Sequence, residues 1–199
     1  MRKTLSLLAA LVLVGCNSQS DNQRAIDEAN EPLELPPPEN EAVNLDVTNL
    51  PVEENGRTSR FAPLNADNCP QISEDKESGG WTRACPAVDG QVLSWTGSDA
   101  REGLVVGQVD LKLNQKVAKG AFSSLGSTIE WRGPTGQPAD VLVVRVNVAQ
   151  ADSEKPDISK LAVVRLDPKP CVVSVVEPGP EQSAKAREIA DGKLPKCKA

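Results

Sequence analysis

Five cysteines and no histidine set the narrowest limits on what this 199-residue chain can become. Without an imidazole there is no Ser-His-Asp triad, no histidine general base and no His-ligated metal centre. Cys69, Cys85, Cys171 and Cys197 are spread over the C-terminal two thirds, and no two of the five stand in a C-x-x-C spacing. A zinc site would lack its usual ligand spacing, so neither metal nor cofactor is expected. What remains is free thiols or disulfides, and the compartment decides between them.

That compartment is written at the N-terminus. Met1-Arg2-Lys3 is a cationic start, Leu5 to Val14 an apolar run, and Gly15-Cys16 a small-residue cleavage site. At ten residues this run is about half of the roughly 20 that span a bilayer as a helix, so a transmembrane reading fails. Leu13-Val14-Gly15-Cys16 resembles the end of a bacterial lipoprotein signal peptide, residues 1–15 being the signal. The resemblance implies that Cys16 carries a diacylglycerol, with a second, amide-linked acyl group such as palmitate. Each buried CH₂ contributes about 0.8 kcal/mol, and two or more chains hold stably where one does not. Asn17 follows the cysteine, not the aspartate that commonly retains lipoproteins in the inner membrane. The expected location is the outer membrane, lipid-anchored and facing the periplasm.

In an exported chain the four remaining cysteines read as two disulfides. Three pairings are open; Cys69–Cys85 with Cys171–Cys197 closes the shortest loops and is preferred. Charge then divides the chain. Residues 17–60 hold ten acidic and three basic side chains, a net −7, whereas residues 61–199 hold 18 and 17, a net −1. No basic field of the kind nucleic acid requires is present. The acidic stretch carries Pro32, Pro36-Pro37-Pro38 and Pro51, and no aromatic precedes Phe61. Such composition buries too little surface to offset chain entropy, so residues 16–60 are expected to be a disordered tether. Its 44 residues after Cys16 would span roughly 35–40 Å as a flexible coil.

Residues 61–199 are expected to form one disulfide-stabilised α+β domain. Cys69 to Cys85 reads as a stapled loop with at most short strands. Strands are expected at Gln91–Thr96, Leu104–Leu111, Thr128–Arg132, Val141–Ala149, Leu161–Leu166 and Cys171–Val176, from alternation and β-branched content. Residues 112–127 are assigned to loop. Short connections favour an antiparallel meander. One C-terminal helix runs from Pro180 to a stop at Gly192, with Ala186, Ile189 and Ala190 as its docking stripe.

The ordered set Cys69, Cys85, Asp99-Ala100-Arg101, Glu130-Trp131-Arg132, Leu161 to Leu166, Cys171, Ala186 to Asp191 and Cys197 resembles an uncharacterised family of small exported alphaproteobacterial proteins. The resemblance covers about residues 60–199. It implies export and disulfides, and no mechanism. Members often carry a histidine directly after the third cysteine; here that position is Val172, so no role of that histidine carries over.

Chemistry is then sought residue by residue. Ser73-Glu74-Asp75-Lys76 matches S-x-x-K but lacks the S-D-N and K-T-G partners that this chemistry needs. Asp99 and Glu102 flank a strand break and are the one carboxylate pair considered for hydrolysis; solvated turn residues are the simpler reading. Trp95 and Trp131 read as core, while Trp81, inside the stapled loop, is left open between core and sugar stacking. Alternation puts Leu142, Val144, Val146 and Val148 on one face, with Arg145 on the other. A meander centred near residue 155 would set Arg145 opposite Arg165, with Glu130 and Arg132 beside them. These four are the candidate anion-binding residues; no catalytic residue is assigned. The expectation is a lipid-anchored periplasmic binding module for an anionic envelope component or protein. An inhibitor of an envelope hydrolase such as lysozyme is the alternative, and a carboxylate hydrolase the weaker one.

The anchor has a direct test. Cys16→Ser should accumulate as unprocessed precursor or leave the detergent phase on phase partitioning; partitioning equal to wild type would remove Cys16 as the lipid site.

Overall fold

The computed structural model describes residues 52–197. The signal segment, Cys16 and the acidic stretch up to residue 51 lie outside the described residues. In chain order the elements are β1 (Val52–Glu54), β2 (Arg57–Pro63), β3 (Gln71–Asp75), β4 (Gly80–Cys85), β5 (Leu93–Ser98), β6 (Arg101–Val106) and β7 (Val109–Asp110). A π-helical turn (Asn114–Ala118) follows, then β8 (Ser123–Pro134), β9 (Val141–Val148), β10 (Ile158–Arg165), β11 (Cys171–Val176) and α1 (Gln182–Asp191). Sheet with one C-terminal helix is the expected α+β class.

Strand structure reaches back to Val52, ahead of Phe61, which moves residues 52–60 from the expected tether into the domain. Asn55 and Gly56 have φ of 56° and 69°, the paired left-handed conformation of a two-residue hairpin turn. β1 and β2 close around it, with Glu54 opposite Arg57. Acidic composition argued against structure here, yet β2 pairs along its whole length with Thr128–Pro134 of β8 and buries Ser59 and Ala62. Tertiary pairing outweighs composition. Residues 112–127 are likewise not loop throughout, since they hold the π-helical turn and the start of β8.

All strands belong to one sheet. Its path is β11-β10-β9-β8-β6-β5-β4-β3, with β2 and β1 attached to the far half of β8. β8 to β11 form the expected antiparallel meander, and β3 to β6 form a second one. A parallel contact, Arg101 with Ser123, joins the two. The register of β8 on β9 shifts between Leu125 and Ile129, a bulge of the kind that bends a strand.

β9 and β10 are buried on both faces, which is why they read as nearly continuous apolar runs. Leu142, Val144, Val146, Val148, Ala162 and Val164 enter the main core, together with Leu93, Leu104, Val106, Ile129 and Trp131. Val141, Val143, Leu161 and Val163 face α1 instead, against Ala186 and Ala190. The helix stops where Gly192 donates its N–H back to the Glu188 and Ile189 carbonyls. Both preferred disulfides are present, Cys69–Cys85 and Cys171–Cys197. Each closes a loop that contributes about 3 kcal/mol through the unfolded chain.

Gly133 marks the tightest backbone approach around β8. A Cβ there would sit 2.5 Å from the Pro138 carbonyl oxygen and 2.8 Å from Ala139 Cα. Gly133→Ala should therefore lower stability by about 1–3 kcal/mol, read as a fall in urea midpoint. An unchanged midpoint would show that the 133–139 turn yields freely.

Candidate functional site

The four residues expected to form an anion site do not converge. Arg145 and Arg165 do share a sheet face, but Arg145 is paired with Leu161 and Arg165 with Val141. The β9–β10 connection is centred on residue 153, not 155. That difference slides the partner by four positions, about 13 Å along a strand. Arg145 donates to Ser159 Oγ and, at 3.1 Å, to Gln182 Oε1. Arg165 donates to the carbonyls of Asp167 and Pro195.

Arg132 and Glu130 do lie together, but inside the protein. Arg132 is 0 % exposed and Glu130 only 8 %. α1 presents Arg187 and Asp191, four residues apart, onto them. Arg132 donates to Asp191 from Nε at 2.6 Å and from Nη2 at 2.8 Å, and to Ser59 Oγ at 2.7 Å. Glu130 accepts from Ser59 Oγ and, at 2.8 Å, from Arg187 Nε. Arg57 completes the cluster against Asp140 and Asp191. Every charge here meets an opposite one, so the arrangement fastens the helix end to β2 and β8 and offers no vacancy for an anion. No local pattern links residues 130 and 132 to 187 and 191; only docking of the helix does.

Burial by itself would raise the Asp191 carboxyl. The Arg132 hydrogen bonds and the charges of Arg132 and Arg57 outweigh it and hold the group below the usual carboxylate range.

The other end of the sheet is built differently. Asp99 and Ala100, between β5 and β6, both adopt left-handed φ, 50° and 51°. This turn brings Ser98 and Arg101 into register. Arg101 pairs with the Asp99 carboxylate, donates to the Gly120 carbonyl at 3.2 Å and lies 4.7 Å over the Phe122 ring. Glu102 Oε2 accepts the Leu125 N–H at 2.7 Å, and Ser123 donates its N–H to the Ala100 carbonyl at 3.0 Å. The turn is thereby tied to the start of β8.

Beside it, the Trp81 indole packs against Gly97, where a Cβ would come within 2.3 Å of the ring. Trp81 meets Trp95 edge-on at 4.9 Å, and the Arg83 guanidinium is 5.6 Å from the Trp81 ring. Between these elements is an open cleft of about 340 Å³, walled by Trp81, Phe122, Asp99, Arg101, Glu102 and Ser124. Adjoining cavities of about 400 and 600 Å³ also have Arg101 in their walls. This volume reaches the range of small-ligand sites, with aromatic surface and a few polar groups converging.

The tryptophans divide as their positions dictate. Trp131 is 0 % exposed and belongs to the core, Trp95 packs against the core's edge, and Trp81 faces the cleft. Asp99 and Glu102 reach this cleft together, though each is already engaged by Arg101 or by the Leu125 amide. Arg101 and Phe122 were missed in the sequence. The available signal was the Asp99-Ala100 turn, which only strand pairing makes visible. Among the described residues no group of Asp, Glu and Cys is placed to hold a metal ion. Comparison with known proteins finds no matching family model, no matching curated protein and no matching solved structure.

Asp191 carries a pH signature. Its folded pKa is depressed, so its contribution is present above the unfolded value of about 3.9 and is lost as pH falls through the lower folded value. Wild type should lose more urea resistance between about pH 5 and pH 2 than Asp191→Asn does. Equal acid slopes would remove the carboxylate from the stability balance.

Proposed function

We propose that this chain is a lipid-anchored envelope domain that binds a ligand in the Trp81–Phe122 cleft without catalysing its conversion. In this reading Cys16 carries the lipid, residues 17–51 serve as the tether, and the domain works in the periplasm from the outer membrane. The resemblance to small exported proteins with four cysteines supports export and disulfide formation, which the two observed bridges suit.

The observation that carries the reading is the composition of the cleft. Two aromatic side chains line its wall, and its Asp99, Arg101 and Glu102 side chains are engaged in internal hydrogen bonds rather than aimed at a reacting atom. A general acid or nucleophile needs a carboxylate free to exchange a proton or attack. Asp99 and Glu102 instead position Arg101 and the Leu125 amide. Aromatic faces with rigidly held polar groups favour a ring-bearing polar ligand, and among envelope components the saccharide of peptidoglycan fits that chemistry.

Titration with peptidoglycan saccharide fragments, followed by tryptophan fluorescence, tests this. Trp81→Ala and Phe122→Ala should each weaken binding about tenfold, ~1.4 kcal/mol. Lys185→Gln, on the exposed side of α1, should leave it unchanged. If neither cleft variant alters binding, or if the fragments are cleaved, the reading fails.

A further inference from the structure

Arg165 loses Arg145 as a neighbour but gains others. One transverse row of the sheet runs Val52, Ser59, Arg132, Val141, Arg165, Cys171, one residue from each of six strands. Its last member is bridged to Cys197. Around that bridge lies a groove of about 400 Å³ with Lys112, Lys116 and Lys169 in its walls. Lys196 precedes Cys197 in the chain, and the Arg165 guanidinium reaches the Pro195 carbonyl at 3.5 Å. The four lysines are exposed. Against these five cations stand Asp110, which pairs with Lys112 at 2.7 Å, and Asp167 in the same loop as Lys169. The local balance is strongly positive in a chain whose net charge is −6.

We propose that this groove seats the phosphates of an anionic phospholipid surface. The choice of a bilayer over a soluble phosphate rests on the lipid-anchored reading and on the row just described. Val52, where the chain coming from residue 16 enters the domain, lies in the same row as the bridged Cys171. The Trp81–Phe122 cleft lies at the other end, beside Ser123, which pairs with Val148. From Val141 to Val148 the strand advances about 23 Å. Lys112 also lines a cavity adjoining the cleft, so the surface proposed to meet the bilayer is the part of the groove around Lys116, Lys169 and Lys196. The acidic residues elsewhere do not cancel the contact, because charges farther than about 8 Å are screened at physiological ionic strength. Each lysine brought near an anionic surface raises partitioning about fivefold.

The test uses residues 16–199 with Cys16→Ser, a chain that cannot be acylated, so failure of the anchor reading does not enter. It is sedimented with vesicles of pure phosphatidylcholine and with vesicles that also contain phosphatidylglycerol. Binding is expected to the phosphatidylglycerol vesicles alone and to weaken as salt rises. Changing Lys116, Lys169 and Lys196 together to Gln should lower partitioning about a hundredfold, as three fivefold steps, with an unchanged thermal midpoint. Trp81→Ala should leave vesicle binding intact, which separates this inference from the cleft's ligand. Absence of binding, equal binding to both vesicles, or wild-type binding by the triple variant would overturn the proposal. Complete displacement by free glycerophosphate would also overturn it, since the groove would then be a soluble-phosphate site.

Discussion

Every backbone N–H and C=O of a buried strand needs a partner, and β8 meets that demand by dividing itself among three strands. One edge runs along β9. The other meets β6 at Ser123 and then β2 from Thr128 to Pro134. The bulge between Leu125 and Ile129 makes the division feasible, because extra residues on one strand turn its direction without ending the ladder. Gly126 lies in that bulge against Arg145, where a Cβ would sit 2.8 Å from the arginine's own. Much of the architecture follows from this strand. Its two meanders close on one core, its first residues form a wall of the cleft, and its last residues receive the hairpin through which the chain enters.

The second dependence is electrostatic. Arg132 and Glu130 occupy positions that, on a two-layer sheet, would face water. α1 covers them and supplies Asp191 and Arg187 in return. Ser59 links the two pairs, accepting from Arg132 and donating to Glu130. A buried network of this kind adds little net stability over an apolar core of the same shape, since desolvation offsets most of the attraction. Its value here is positional. Ala186 and Ala190 form a small apolar stripe that alone would tolerate sliding, whereas a bidentate Arg–carboxylate contact tolerates very little. The helix register is thus held by charge and its attachment by packing, with the Cys171–Cys197 bridge securing the chain beyond it.

These two devices leave the ends of the sheet with different characters. At the Arg132 end the charges inside are neutralised, and the surplus lysines stand outside, around the second disulfide. At the Ser123 end the hairpin turn of Asp99 and Ala100 is held by Arg101, Ser123 and Glu102, leaving Trp81 and Phe122 on the wall of a cleft. In the proposed reading one of these surfaces meets the membrane and the other meets the ligand. The proposed reading and the lipid seat are two aspects of that single layout.

What the sequence determined by itself was whatever repeats within one element or counts along the chain. Alternation in Val141–Ala149 assigned the core face residue by residue, because successive side chains leave a strand on opposite sides whatever lies next to it. Gly192 stopped the helix, and loop length selected both disulfide pairings. Asn55-Gly56 is equally legible as a hairpin turn, a local signal that the tether assignment, made on composition alone, did not use. Partnerships between elements were different. The turn after β9 is centred two residues earlier than read, and that moved Arg165 four positions from Arg145. The parallel contact of β6 with β8, and the pairing of residues 130 and 132 with 187 and 191, have no local trace at all. Register and docking depend on which surfaces meet, a free energy summed over the whole fold, so only the tertiary structure could decide which arginines are buried, which are exposed and where the cleft opens.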